Sequence, residues 1–262
     1  MVLAWCRRNV IEPVYMTAAG SPRRSYWKEL ERTQYLPLES LQQIQWRRFR
    51  DIISFAYEQN TFYRSRFQSI GLHPSDIQDR ADVKRIPILT KEEIRANSRA
   101  MISNGYEMQN LLAFKTGGST GKPLEIFITE SCSEKRNACA RRHDRWTGWE
   151  VGEPVAACWG NPRYPKSLKQ RLTRFLLSPV LFLDTMHVDQ AAVLAFAQHC
   201  KRLRPTLLFG HAHSLFILAE YVKMLRISSI HPKSILSSSM MLLPNERREI
   251  EAAFQAPVFD RY

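Results

Sequence analysis

The sequence predicts an α/β fold, with mixed and parallel sheets flanked by helices and a helical segment on the N-terminal side. Three observations carry this. From about residue 154 onward, apolar runs of strand length alternate with helix-period segments, a pattern that calls for parallel strands joined by crossover helices. Two short apolar runs, "LLAFK" (111–115) and "LEIFI" (124–128), flank a glycine-rich loop and read as neighbouring strands. Leu41, Ile44, Phe49, Ile52, Ile53 and Ala56 recur at three- and four-residue steps, which makes 40–59 an amphipathic helix.

Taken in order, residues 1–38 are mixed and basic, with no clear period. After the 40–59 helix comes "NTFYRSRF" and a loop holding Gly71 and Pro74. In "RIPILTKEEIRAN", Thr90 stands three residues ahead of Glu93, the spacing of a capping box at a helix start. Thr129 caps a helix through about Trp146, and "PVAACW" (154–159) is a buried strand. Asp189 caps a helix through about Leu203, ended by Pro205. Then "TLLFG" reads as a strand, "SLFILAEYVKML" as a helix, "SILSS" as a strand, "PNERREIEAAF" as a helix opening on proline, and "PVFD" as a last strand. Ligands of open α/β sheets bind beyond the carboxyl ends of the strands.

The 262 residues carry a net charge of +13, which favours anionic partners without choosing among them. The five cysteines form no CxxC pair, and their odd number argues against a closed disulfide framework and for reduced thiols in a cytoplasmic protein. No apolar run reaches the roughly 18 residues of a membrane span; "FLLSPVLFL" is too short. The start "MVLAWCRRNV" places its charges after the apolar stretch, the reverse of a signal peptide.

The segment "FKTGGSTGKP" (114–123) is not a Walker loop, because Thr116 stands where its first glycine belongs and Pro123 follows the lysine. Its glycines would let backbone N–H groups approach an anion, with hydroxyls from Thr116, Ser119 and Thr120 and a charge from Lys122. A hairpin with a flexible polar tip has the same composition. His211 and His213 lie two residues apart, but no third ligand follows at useful spacing, so no metal site is expected. Residues 161–174 carry Arg163, Lys166, Lys169, Arg171 and Arg174 with no acid. They suit a solvated basic face, anionic lipid, coenzyme phosphates or nucleic acid; no nucleic-acid module is recognisable.

"TGGSTGKPL" resembles the phosphate loop of the adenylate-forming (AMP-binding) superfamily. With "YRSRF", "GLHPSDIQD", "IPILTKEEIRAN", "RWTGWEVGE", "WGNPR" and "RREIEAAFQAPVFDRY", the chain from about Tyr26 to Tyr262 is similar to phenylacetate–CoA ligase-like proteins, most of all the CapK-like branch of capsular and surface polysaccharide synthesis. The resemblance implies activation of a small carboxylate by ATP to an acyl-adenylate, then thioester formation with coenzyme A. It implies that Thr116, Gly117, Gly118, Ser119, Thr120, Gly121 and Lys122 hold the ATP phosphates. Ser239, Met240, Asp260 and Tyr262 would lie at adenine, with Met240 where the family has a glutamate. Gly210, His211 and Ser214 would line the carboxylate pocket.

"FDRY" matches the start of the family's D-x-Y-G-x-x-E, so the glutamate that helps hold Mg2+ is expected to be absent from this chain, along with the closing C-terminal domain. The expectation is a truncated or degenerate ligase with a helical segment 1–85 and a partial AMP-binding domain 86–262. The other reading is a non-catalytic nucleotide- or acyl-binding module that needs a separately encoded remainder.

Overall fold

The computed structural model describes residues 2–115, 123–162 and 164–261. The chain divides into two compact units, residues 28–136 and residues 1–27 with 137–262. Residues 2–38, in the stretch where the sequence shows no period, are mostly helical. Helices α1 (Val2–Cys6) and α2 (Glu12–Ala18) are joined by a π-helical turn, Arg7–Ile11, and α3 (Arg23–Thr33) follows. The first two are fixed by contacts far away in sequence. Glu12 Oε1 meets Arg141 Nη1 at 2.6 Å, both side chains nearly buried, and buried Arg7 donates to the Gly152 carbonyl at 3.2 Å. Gly152 has φ +90°, and a Cβ there would stand 2.7 Å from the Ala4 carbonyl oxygen, so this packing needs a glycine.

The 28–136 unit holds α4 (Leu38–Gln59), α5 (Thr61–Gln68), α6 (Lys91–Asn97) and the strands β1 (Leu112–Lys115) and β2 (Glu125–Ile128). "NTFYRSRF", to which the sequence pattern assigns no element, forms α5, capped by the Asn60 side chain accepting from the Tyr63 N–H at 3.1 Å. Phe67, Leu72 and Ile77 form a small core against Trp46, Phe49, Ile53, Tyr57 and Ile86. Thr90 and Glu93 make the expected capping box. β1 and β2 pair antiparallel, from Leu112 opposite Ile128 to Lys115 opposite Glu125. The unit boundary falls inside α7 (Glu130–Trp146), whose first turn is capped by Thr129 Oγ1 accepting from the Cys132 N–H at 3.1 Å.

The other unit is built on a parallel sheet. In chain order come β3 (Val155–Trp159), α8 (Leu168–Leu177), β4 (Val180–Asp184), α9 (Gln190–Leu203), β5 (Leu207–His211), α10 (Ala212–Met224), β6 (Ser234–Ser238), α11 (Pro244–Phe254) and β7 (Val258–Arg261). The spatial order is β4-β3-β5-β6-β7, with every pair parallel. "FLLSPVLFL" is no single element: α8 ends before Ser178-Pro179 and edge strand β4 begins, since the residue before a proline leaves the helical region. One face of the sheet, with Ala156, Cys158, Leu208, Ile235 and Val258, packs on Val193 and Phe196 of α9, Leu215 and Leu218 of α10, and Ile250 and Phe254 of α11. Among the described residues, no helix is long and apolar enough to cross a membrane.

Candidate functional site

Strand register brings the chemistry to one line. Trp159 stands opposite Asp184, His211 opposite Ser238, and Ser238 opposite Arg261. Cys158 is opposite Gly210, so Trp159 and His211 are the next step along the same pair, with ring centroids 4.1 Å apart. The last residues of all five strands therefore form a row at the carboxyl edge: carboxylate, indole, imidazole, hydroxyl and guanidinium. Alternation along each strand turns these side chains away from the helix-packed face. Trp159 also stacks on Phe209, centroids 5.1 Å apart and planes 17° from parallel. The result is a half-buried aromatic wall of Phe209, Trp159 and His211.

Each end of the row is anchored. Asp184 Oδ1 accepts from the N–H of Met186 at 3.0 Å and of Asn161 at 3.2 Å, the second residue held at φ +51°. These bonds, Met186 foremost, hold the Asp184 carboxyl below the usual carboxylate range. Asp184 thus ties together the exits of β3 and β4. At the other end, Arg261 Nη1 reaches Asp144 Oδ1 of α7 at 2.5 Å, and its guanidinium lies 5.1 Å from the centre of the Phe209 ring. Burial pushes the Asp144 carboxyl up against the opposing pull of Arg261 and Arg141. Burial also lowers His211, and lowers His143 with help from Arg142 and Arg261. His211 is thus a neutral ring at neutral pH.

Of the residues singled out in the sequence, His211 stands in the row. Ser239, at φ +67°, and Met240 are exposed just past β6. Ser214 is half-buried in the first turn of α10. Gly210 and Asp260 alternate to the opposite face from His211 and Arg261. A Cβ on Gly210 would come within 2.9 Å of the Cys158 carbonyl and 3.1 Å of Leu215 Cγ, so Gly210 serves the seating of α10 on the sheet. Residues 116–122, the whole glycine loop, and Tyr262 lie outside the described residues. His213 leaves its neighbour's row and meets Glu246 Oε1 of α11 at 3.1 Å. The described residues hold no group of three or more His, Cys, Asp or Glu suited to a metal. Trp159, Asp184 and Arg261 were missed. Their signal was there: each is a polar or aromatic residue that ends an apolar strand run, as in "VAACW" and "VLFLD".

No protein-family model matches the chain. It is 27% identical to the phenylacetate–coenzyme A ligase of Escherichia coli over 123 residues, 47% of this chain and 28% of that enzyme. It is 26% identical over 123 residues to the enzyme of the same name from Pseudomonas putida, and 25% identical over 132 residues to that of Aromatoleum evansii. The aligned segment therefore spans under a third of these relatives. Among solved structures, 2-hydroxyisobutyryl-CoA ligase in complex with 2-HIB-AMP and CoA matches with a TM-score of 0.65 and 19% identity, covering 86% of this chain and 49% of that one. By fold over most of its length, and by sequence over about half of it, the chain is similar to the adenylate-forming coenzyme A ligases.

Proposed function

We propose that this chain acts in the activation of a small carboxylate: carboxylate and ATP give acyl-AMP and pyrophosphate, and acyl-AMP and coenzyme A thiol then give the acyl thioester and AMP. The observation that carries the reading is the aromatic and polar row at the carboxyl edge of the sheet, the place where open α/β sheets take ligands. The Phe209–Trp159–His211 wall offers a flat, uncharged surface to a planar ring or an acyl group. Arg261, held between Asp144 and Phe209, supplies a pre-positioned cation at the far end.

Residues 116–122 are proposed to grip the β- and γ-phosphates, with Lys122 as the charge. Ser239, Met240, Asp260 and Tyr262 are proposed at adenine, and His211 and Ser214 beside the acyl group; Gly210 and Asp260, whose positions alternate to the other face, would contribute through their backbone. Mg2+ belongs to the proposed reaction through the family resemblance, where it is held largely by the ATP phosphates, and no residue of this chain is assigned to it. A cytoplasmic setting in capsule or surface polysaccharide synthesis is the finer context that the CapK-like resemblance supports.

A second reading, binding without turnover, is favoured by one observation: Asp184 and Arg261 are already committed to structural partners. Carboxylate-dependent ATP–pyrophosphate exchange separates the two. Exchange supports the ligase; micromolar ATP binding without exchange, weakened at least tenfold by Lys122→Ala and by Trp159→Ala, supports the module. No nucleotide binding at millimolar ATP overturns both.

A further inference from the structure

Helix α8 has an amphipathic pattern without the burial that usually goes with it. In "LKQRLTRFLL", Leu168, Leu172 and Phe175 follow one another at steps of four and three residues and so share a face. They are 82%, 58% and 52% exposed. Lys169 and Arg171 flank that face, and residues 161–177 carry five cations and no acid.

The helix is nevertheless well anchored. Ser167 Oγ caps it by accepting from the Gln170 N–H at 3.2 Å. The Arg7 guanidinium lies 5.1 Å from the Phe175 ring centre, and that of Arg174 lies 5.4 Å from Phe182 on edge strand β4. The exposed leucines thus belong to a capped helix held beside edge strand β4. Beside them runs a groove of about 390 Å³ with an apolar floor of Pro179, Val180 and Leu181, lined also by Arg171, His199 and Arg202.

We propose that this face docks on an anionic membrane surface. Leu168 and Leu172 enter the boundary between headgroups and acyl chains, Phe175 borders them with its ring held against Arg7, and Lys169, Arg171 and the neighbouring cations meet the lipid phosphates. Charge selects this occupant. A second copy would bring like-charged faces together with no acid between them, which is strongly unfavourable. Nucleic acid would use the cations but has no use for leucines at the centre of the face, where stacking aromatics are expected instead.

The test is co-flotation of the full chain with vesicles of phosphatidylcholine alone or with roughly 30 mol% phosphatidylglycerol. Binding is expected to the anionic vesicles only and to weaken as salt rises. Leu168→Glu with Leu172→Glu is expected to reduce it at least roughly tenfold. Lys169→Gln and Arg171→Gln are each expected to reduce it about fivefold, and they leave the apolar face intact should the glutamate pair fail to fold by circular dichroism. The proposal is overturned if no vesicle binds, or if the glutamate pair floats as well as the parent. It is equally overturned if light scattering shows the leucines holding a dimer while flotation is unchanged, or if RNA binds the parent and vesicles do not.

Discussion

The two sheets of this protein are held by different means. In the five-stranded sheet, Ala156, Cys158, Leu208 and Ile235 are wholly buried, and helices cover the strands as parallel pairing requires. In the β1–β2 hairpin most positions are exposed, and the surrounding 28–136 unit relies on a three-residue buried core and on local caps at Asn60, Thr90 and Thr129. One region is stabilised by depth and the other by chain-local hydrogen bonds. Perturbations should separate them accordingly.

The largest separation is expected in thiol chemistry. Burial pushes Cys200 up to about 12 and Cys158 higher still, whereas Cys132 near the hairpin is exposed. From an ordinary 9.0, that leaves Cys200 about a thousandfold less thiolate at pH 8, before occlusion is counted. Cys132 is expected to label with a maleimide within minutes, and Cys158 and Cys200 only in denaturant. Equal labelling rates by mass spectrometry would erase the contrast.

Next is a matched truncation. Ile235→Ala in β6, where the side chain is fully buried, is expected to cost about 2–5 kcal/mol in urea unfolding. Leu112→Ala in β1, 41% exposed, is expected to cost under about 1 kcal/mol. Gly210→Ala sharpens the same point by addition, because its Cβ meets the Cys158 backbone. A cost of about 1–3 kcal/mol is expected. A neutral Gly210→Ala would mean that α10 can move off the sheet.

The same division explains what could be read in advance. The hairpin, the Thr90 box and the strand–helix alternation after 154 were legible, because each is written within a few consecutive residues. The helices of residues 1–33 were not: Glu12 with Arg141 and Arg7 with Gly152 are pairs more than a hundred residues apart. The site row was half legible for a related reason. His211 stood out locally, but the alignment of Asp184, Trp159 and Arg261 exists only once the register of five strands is set.

The smallest expected effect is in acid sensitivity. Glu93 accepts from the Thr90 N–H at 2.7 Å and from its hydroxyl at 2.8 Å, and pairs with Arg66. These bonds, the Thr90 N–H foremost, bring its carboxyl from 4.5 down to about 2. A depressed carboxyl binds fewer protons folded than unfolded, so its contribution is complete above about pH 4.5 and is lost as pH falls towards 2. The half-buried histidines of the sheet unit act in a different window. His211 and His143 are lowered from 6.5, so stability there rises with pH through 6.5 and is lost below it. Glu93→Gln is expected to lessen, not abolish, the fall of the urea midpoint between pH 4.5 and 2, because Asp82, Glu150 and Asp184 are also held low, while leaving the step near 6.5 in place. Because Glu93 is solvent-exposed, salt should shrink its share further. A change near 6.5 in that variant would show that the acid behaviour of the two regions cannot be told apart.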